Sequence, residues 1–193
     1  MHKQRVGAGD RAKGASAFVA LLRGIYVGGK NMLPMSALVA MFEAAGCAAV
    51  ESYIQSGNVV FKADKALADD MPMLVGKRIT KQFGYEIPIV MRSARELEHV
   101  ARTNPFLKPG VDINLLYVAF LSERPDARRV AGLDPGRSPP DEFAVIGSEI
   151  YLHLRNGAGK TKLTNAYFDS KLATISTMRN WKTTLKLAEL TGA

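Results

Sequence analysis

The chain has 193 residues, of which 47% are apolar and 23% are charged, a composition typical of a globular protein with a buried core. Its length suits one domain of ordinary size or two small ones. A single cysteine excludes an intramolecular disulfide framework, and the sequence holds no run of about 18 apolar residues that would form a membrane helix. We therefore expect a cytoplasmic protein without a membrane partner.

Positive charge is concentrated at the start of the chain and in its last third, and the formal net charge is +8. Residues 1–16 are basic, rich in Gly and Ala and poor in large apolar side chains, which predicts a disordered tail. Between Arg155 and Lys186, seven basic residues accompany a single acidic one, Asp169. Such clustering favours phosphorylated ligands, RNA or an acidic partner, although a solvated lysine surface has the same composition.

The first half of the chain has the pattern β-α-β-β-α-β. A continuous apolar run, Ala17–Arg23, predicts the first strand. Apolar residues at helical spacing between Pro34 and Gly46 predict a helix. The other predicted elements are a hairpin (Val50–Ile54 and Val59–Lys62), a helix (Ala66–Phe83) and a strand (Glu86–Met91). This order is that of a ferredoxin-like unit.

The second half nearly repeats that order after a linking helix near Ser93–Arg102. Its predicted elements are Ile113–Leu121 (strand), Arg124–Ala131 (helix), Glu142–Ile146 and Glu149–Leu154 (hairpin), Lys162–Leu172 (helix), Thr174–Thr177 (strand) and Asn180–Leu190 (helix). We predict an α+β fold of two ferredoxin-like (βαββαβ) subdomains with antiparallel sheets. The predicted boundaries are a tail at 1–16, subdomains at 17–92 and 111–193, and a link at 93–110; whether the subdomains share one core stays open.

Two glycine-rich basic loops are candidate anion sites. In the first, which follows the first strand, the candidate ligand-binding residues are Arg23, Gly28, Gly29, Lys30 and Asn31. The alternative is a tight turn in which Arg23 pairs with a carboxylate. In the second, residues 155–162, the candidates are Lys160 and Lys162; the loop resembles the end of a phosphate loop but lacks that motif's first glycine, so weak anion binding is the most it indicates.

Further polar candidates lie in the first hairpin and before the last helix. Gln55, Ser56 and Asn58 could contact a ligand, although a hairpin turn alone would favour Gly57 and Asn58. Arg179 adds a basic candidate just before Trp181, and the only tryptophan is predicted to be a core anchor.

The sequence contains few candidate catalytic residues. The three histidines have no metal-ligand spacing and accompany no nucleophile motif, so we predict no metal site and no cofactor, and the catalytic residues stay unknown. His153 alternates with Tyr151, opposite an apolar set of residues, and this alternation predicts that both lie on the less buried face of their hairpin.

Three strings together carry a family resemblance: Leu21–Asn31 (LLRGIYVGGKN), Tyr53–Phe61 (YIQSGNVVF) and the helix start within Thr177–Leu190. They resemble the bacterial domain of unknown function 1697 family from about Ala17 to the end of the chain. The resemblance implies an α+β protein with ferredoxin-like subdomains and implies no established activity.

The leading functional hypothesis is binding of an anionic ligand, a phosphorylated small molecule or RNA, through the two glycine-rich basic loops. A second hypothesis is an enzyme with a cleft between the subdomains that acts on a phosphorylated or acidic metabolite. A third is an oligomerisation or protein-interaction module in which a sheet edge pairs with a second copy. The protein would then be a monomer or a homodimer.

Overall fold

Two four-stranded antiparallel sheets form the framework of the structure, a computed structural model that describes residues 14–25 and 31–193. The first sheet has the order β2-β3-β1-β4, and its strands are β1 (Ser16–Leu22), β2 (Ala48–Tyr53), β3 (Asn58–Ala63) and β4 (Ile89–Ser93). The second has the order β6-β7-β5-β8, with β5 (Leu116–Leu121), β6 (Glu142–Ile146), β7 (Glu149–His153) and β8 (Ser176–Asn180). The predicted α+β fold with two ferredoxin-like subdomains is confirmed.

Six α-helices connect these strands in the described part of the chain: α1 (Met35–Glu43), α2 (Lys65–Phe83), α3 (Ala94–Thr103), α4 (Ala127–Ala131), α5 (Asn165–Leu172) and α6 (Trp181–Thr191). Side-chain caps set several of their starts. Asp64 accepts a hydrogen bond from the Leu67 N–H at 2.8 Å, and Asn180 accepts one from the Thr183 N–H at 2.7 Å. Gly84 ends α2 in the left-handed conformation.

Several predicted boundaries shift for local reasons. The fourth strand begins at Ile89 rather than Glu86. Residues 113–115 form a 3₁₀ turn before β5, with Asp112 as its cap. Thr164 caps α5, so that helix begins at Asn165 and not at Lys162. The predicted tail lies outside the described residues up to position 13, and Ser16 already pairs with Ala63 in the sheet.

The two sheets share a core. One face of the first sheet packs against α1 and α2, and one face of the second packs with residues of α5. Between the sheets lies a third apolar cluster that contains residues from both sheets and from α3 and α6: Val19, Leu21, Leu97, Val100, Val118, Phe120, Tyr151, Trp181 and Leu187. Trp181, 1% exposed, is the core anchor that the sequence predicts. The halves are therefore joined by buried apolar side chains, not by a linker alone.

The strand registers reveal an internal repeat. In the first sheet, Arg92 of β4 lies opposite Val19 of β1; in the second, Arg179 of β8 lies opposite Val118 of β5. In each half the residue after the arginine, Ser93 or Asn180, caps the helix that packs between the two sheets, α3 or α6. The tripeptides Met91-Arg92-Ser93 and Met178-Arg179-Asn180 therefore occupy equivalent positions.

Candidate functional site

Each of these two arginines reaches from its own sheet into the other half of the molecule. Arg92 donates from Nε to Glu149 Oε1 at 2.8 Å and from Nη2 to the carbonyls of Leu121 and Ser148 at 2.8 and 3.0 Å. Its Nη1 donates to the carbonyl of the preceding residue, Met91, at 2.6 Å. Arg92 is 5% exposed, so its ion pair with Glu149 lies in an environment from which water is largely excluded.

Arg179 repeats this arrangement in the opposite direction. Its Nη2 donates to Leu22 O at 2.7 Å, at the end of β1, and to Ser56 O at 3.2 Å, in the β2–β3 turn. Its Nε donates to Asn58 Oδ1 at 2.6 Å, and its Nη1 donates to Thr177 Oγ1 and Met178 O, both at 2.9 Å. A guanidinium has five N–H donors, and the five bonds account for all of them. Arg179 therefore joins the halves through neutral acceptors.

We call the hydrogen-bond clusters of Arg92 and Arg179 the two clamps. They differ in the charge of the side chain that accepts from Nε. Glu149 lies opposite Phe120 in its sheet, and Asn58 lies opposite Leu21 at the equivalent position of the other. The Asn58 Nδ2 donates to Tyr53 O at 3.1 Å and to Ser56 Oγ at 2.8 Å. A carboxylate could not make the first of these bonds, because it would set an oxygen against a carbonyl oxygen. The β2–β3 turn thus requires the amide, which leaves the guanidinium without a counter-ion here.

Arg179 consequently holds a buried and uncompensated positive charge. Burial lowers the pKa of Arg179 to about 10, so the guanidinium remains protonated at neutral pH. Among the residues that the structure describes, no carboxylate pairs with it. An unneutralised buried cation is costly, and such features concentrate at functional sites.

A cleft of about 470 Å³ lies beside this guanidinium, between the two halves. It is bounded by the end of β1 and the β2–β3 turn on one side, and by the β8–α6 junction on the other. The lining residues are Leu22, Arg23, Gly24, Ile25, Ile54, Ser56, Asn165, Thr177, Met178, Arg179, Asn180 and Thr183. This volume lies within the range of small-molecule sites.

The second arginine of the cleft, Arg23, is neutralised by an ion pair. Its Nη1 donates to Asp169 Oδ2 on α5, across the boundary between the halves. Asp169 also accepts from the Ser176 N–H at 2.8 Å and from its hydroxyl at 2.6 Å, so the carboxylate is held in place. The alternative interpretation of Arg23, pairing with a carboxylate, describes this contact. Both side chains are about one quarter exposed, so a ligand can reach them.

The structure brings together only part of the predicted ligand-binding set. Arg23, Ser56 and Arg179 line the cleft, and Asn58 lies directly behind it. Asn31 donates to the Gly24 carbonyl at 3.1 Å and Gln55 is exposed, but neither lines the cleft. Gly28, Gly29 and Lys30 lie outside the described residues. The basic residues Lys160 and Lys162 are exposed and do not line the cleft either.

The second glycine-rich loop donates a hydrogen bond to a carboxylate of the chain itself, that of Asp141. Asp141, 4% exposed, accepts from the Asn156 N–H at 3.0 Å and from the Ser138 hydroxyl at 2.9 Å. The Ser138 Oγ in turn accepts from the Lys162 N–H at 3.0 Å. Burial by itself raises the pKa of Asp141, but hydrogen bonds from Asn156, Thr161 and Ser138 outweigh burial and hold that pKa below its usual value.

Asp141 predicts a pH dependence of stability. A carboxyl whose pKa is lower in the folded state stabilises the protein above its unfolded pKa, and this contribution is lost as pH falls through the folded pKa. We expect Asp141→Asn to lower the free energy of unfolding by about 1–3 kcal/mol at pH 6 and by progressively less below about pH 4. Urea denaturation between pH 6 and pH 2.5 measures this, with the exposed Asp70→Asn as control. A constant difference across that range would contradict the assignment.

The described residues offer little for nucleophilic or metal chemistry. Burial raises the pKa of the Cys47 thiol to about 11, which keeps it protonated at neutral pH. No group of three or more His, Cys, Asp or Glu side chains in residues 14–25 and 31–193 is arranged to hold a metal ion. Within the same residues, none of the helices has the length and apolar character needed to span a membrane.

One prediction about the second hairpin is wrong. Tyr151 is fully buried in the core between the sheets, and its hydroxyl shares a 2.8 Å hydrogen bond with Thr103 of α3. Helices α3 and α6 pack against the face of the sheet on which Tyr151 lies, and alternation within one strand does not reveal them.

Comparison with known proteins shows the family of the chain. A family model described as "Protein of unknown function (DUF1697)" matches residues 16–151. The chain belongs to this family. The match includes Arg23, Asn58 and Arg92, and it ends before β8 and Arg179.

This DUF1697 protein is also similar to a solved structure, that of the conserved bacterial protein SP0830 from Streptococcus pneumoniae. The TM-score is 0.71 and the sequence identity 22%, with 92% of this chain and 99% of that chain covered. At this identity the similarity shows the fold alone. No curated protein matches the chain.

Nine of the twelve described residues that line the DUF1697 cleft were not among the site candidates from the sequence: Leu22, Gly24, Ile25, Ile54, Asn165, Thr177, Met178, Asn180 and Thr183. They come from four separate segments, and no spacing along the chain connects them. One signal was available, the repeated tripeptide Met-Arg-Ser/Asn before a helix. It would have identified Arg92 and Arg179 as equivalent residues.

Proposed function

We propose that this DUF1697 protein binds a small anionic molecule in the cleft between its two halves. The observation that carries the proposal is the buried guanidinium of Arg179, which neutral groups hold and which has no carboxylate partner among the described residues. The equivalent Arg92 has such a partner in Glu149. An anion in the cleft would supply the charge that Glu149 supplies on the other side.

Arg179 would act through its charge, because all of its donors are already engaged. At a separation of about 6 Å and an effective dielectric constant of about 20, a unit negative charge gains roughly 3 kcal/mol beside it. Direct hydrogen bonds would come from the other polar groups of the lining. They include the hydroxyls of Ser56 and Thr183 and the remaining N–H groups of Arg23.

The size and the lining of the cleft favour a small molecule over RNA. About 470 Å³ accommodates a metabolite-sized ligand and not a nucleic-acid strand. Among the residues that the structure describes, none that lines the cleft has an aromatic side chain on which a base could stack. Contact with the nucleic-acid backbone alone would require an extended basic surface, whereas the positive charge here is enclosed.

Calorimetric titration tests the proposal with inorganic phosphate, phosphorylated metabolites and a short RNA, each at low and moderate salt. Asn58→Asp places a counter-ion beside Arg179, and we expect it to weaken anion binding at least tenfold. Asp169→Asn frees Arg23 while it keeps an acceptor for Ser176, and we expect it to tighten binding. The double variant Lys160→Ala/Lys162→Ala changes the charge elsewhere and should leave binding unchanged.

Two results would overturn the proposal. One is anion binding that is lost in the Lys160/Lys162 variant and kept in Asn58→Asp, which would move the site to the second glycine-rich loop. The other is binding of RNA alone with a steep salt dependence. If Asn58→Asp does not fold, the direction of the effect of Asp169→Asn decides the question.

A further inference from the structure

Ile54 has a backbone conformation that its side chain disfavours. Its φ is +50°, in the left-handed region, where a β-branched residue is a genuine outlier. The side chain is also 51% exposed, so burial does not compensate for the strain. Glycine or asparagine would serve the turn better. A strained, exposed apolar residue at the edge of a cleft indicates a functional constraint.

The strained residue of this turn has no counterpart in the equivalent hairpin of the second half, where the only positive φ falls on Gly147. In the second half, Ile146 pairs with Glu149, so the hairpin turn consists of Gly147 and Ser148 alone. In the first half, Tyr53 pairs with Asn58, and the turn is two residues longer. Ile54 begins this longer turn and lines the cleft beside Arg179. The added turn length and the missing counter-ion therefore occur at the same place.

The rest of the turn is held rigidly enough to keep Ile54 in this conformation. A Cβ on Gly57 would lie 2.8 Å from both the Leu22 Cβ and the Ile25 Cγ1, so the turn backbone packs directly on buried side chains. The Leu22 N–H donates to the Gly57 carbonyl at 2.8 Å. Tertiary contacts of this kind sustain local strain.

We infer that the ligand of this cleft carries an apolar group next to its anionic group, and that Ile54 is the residue that recognises the apolar group. This inference rests on the proposed function. The anionic group lies toward Arg179, and the apolar group lies against Ile54, with Ile25 and Met178 nearby in the lining. The ligand class is an alkyl or aryl phosphate or carboxylate rather than a free inorganic anion.

The test is a titration with inorganic phosphate, ethyl phosphate, butyl phosphate and phenyl phosphate. We expect the dissociation constant to fall about two- to fourfold for each methylene buried between ethyl and butyl phosphate. Ile54→Asn retains a residue that tolerates positive φ, and it should bring the ratio of the dissociation constants of ethyl and butyl phosphate to about one. The same variant should raise the melting temperature, because the strain is relieved. The matched control is Ile146→Asn, on the equivalent hairpin.

The outcomes distinguish a failure of this inference from a failure of the proposed function. If no anion of the series binds, the proposed function fails. If inorganic phosphate binds and the alkyl chain has no effect, or if Ile54→Asn keeps the full dependence on chain length, the inference is overturned while the anion site stands. Loss of the dependence in Ile146→Asn as well would equally overturn the assignment to Ile54.

Discussion

Replacing Gly57 with alanine is expected to lower the free energy of unfolding by about 2–5 kcal/mol. Two costs add at this position. Its φ of +74° is unfavourable for any residue with a Cβ, at about 1–2 kcal/mol. The new Cβ would also meet the Leu22 Cβ and the Ile25 Cγ1 at 2.8 Å, and overpacking of this kind costs about 1–3 kcal/mol. Both neighbours are buried in the folded protein.

Gly84→Ala separates these two costs. Gly84 has nearly the same φ, +73°, but no other group lies within 4 Å of the position that a Cβ would take there. We therefore expect this variant to show only the backbone cost of about 1–2 kcal/mol. Urea denaturation of both variants measures the difference. Equal losses would mean that the β2–β3 turn is not packed as tightly as the structure shows.

Truncating Glu149 to alanine is expected to destabilise the protein by about 3–5 kcal/mol. The substitution leaves the buried Arg92 guanidinium without its carboxylate at the junction of the two halves, and an uncompensated buried charge has this cost. Glu149→Gln should be milder, because an amide oxygen can still accept from Nε. Asn58 supplies that arrangement to Arg179 in the other half.

Denaturant unfolding of Glu149→Ala and Glu149→Gln, beside Asp69→Ala, tests this prediction. Asp69 pairs with Lys65 on the surface, where both side chains are more than half exposed, and such pairs contribute about 0–1 kcal/mol. A loss for Glu149→Ala as small as that for Asp69→Ala would show that the Arg92 clamp does not hold the halves together.

The two clamps suggest a division of roles between the halves. Both arginines join the sheets by the same geometry, since each donates to the carbonyl that ends the central strand of the other sheet, Leu121 or Leu22. In the Arg92 clamp, the Glu149 carboxylate neutralises the guanidinium, so no counter-ion from another molecule is needed. The other lacks the carboxylate and borders a cleft with a lengthened turn. On our proposal, the repeated architecture keeps the Arg92 junction for stability, while the Arg179 junction binds a ligand.

Periodicity along the chain was sufficient to predict most of the elements and the α+β class. β1 is the clearest case, because a central strand buried on both faces needs a continuous apolar run. The burial of Trp181 also followed from its position on a helix. Ser56 and Asn58 were identified as site candidates because their turn is polar, although turn chemistry explains Asn58 only in part.

The features that could be read from the amino-acid sequence are therefore local: the order of most strands and helices and the basic character of the last third of the chain. Tertiary structure decided which charges are compensated, because partners 57 and 146 residues apart, such as Arg92 with Glu149 and Arg23 with Asp169, meet only when the sheets pack. It also decided that Tyr151 is buried, since the covering helices come from distant segments. Electrostatic pairing and burial depend on distance in space, and hydrophobic periodicity reports only which face of an element is apolar.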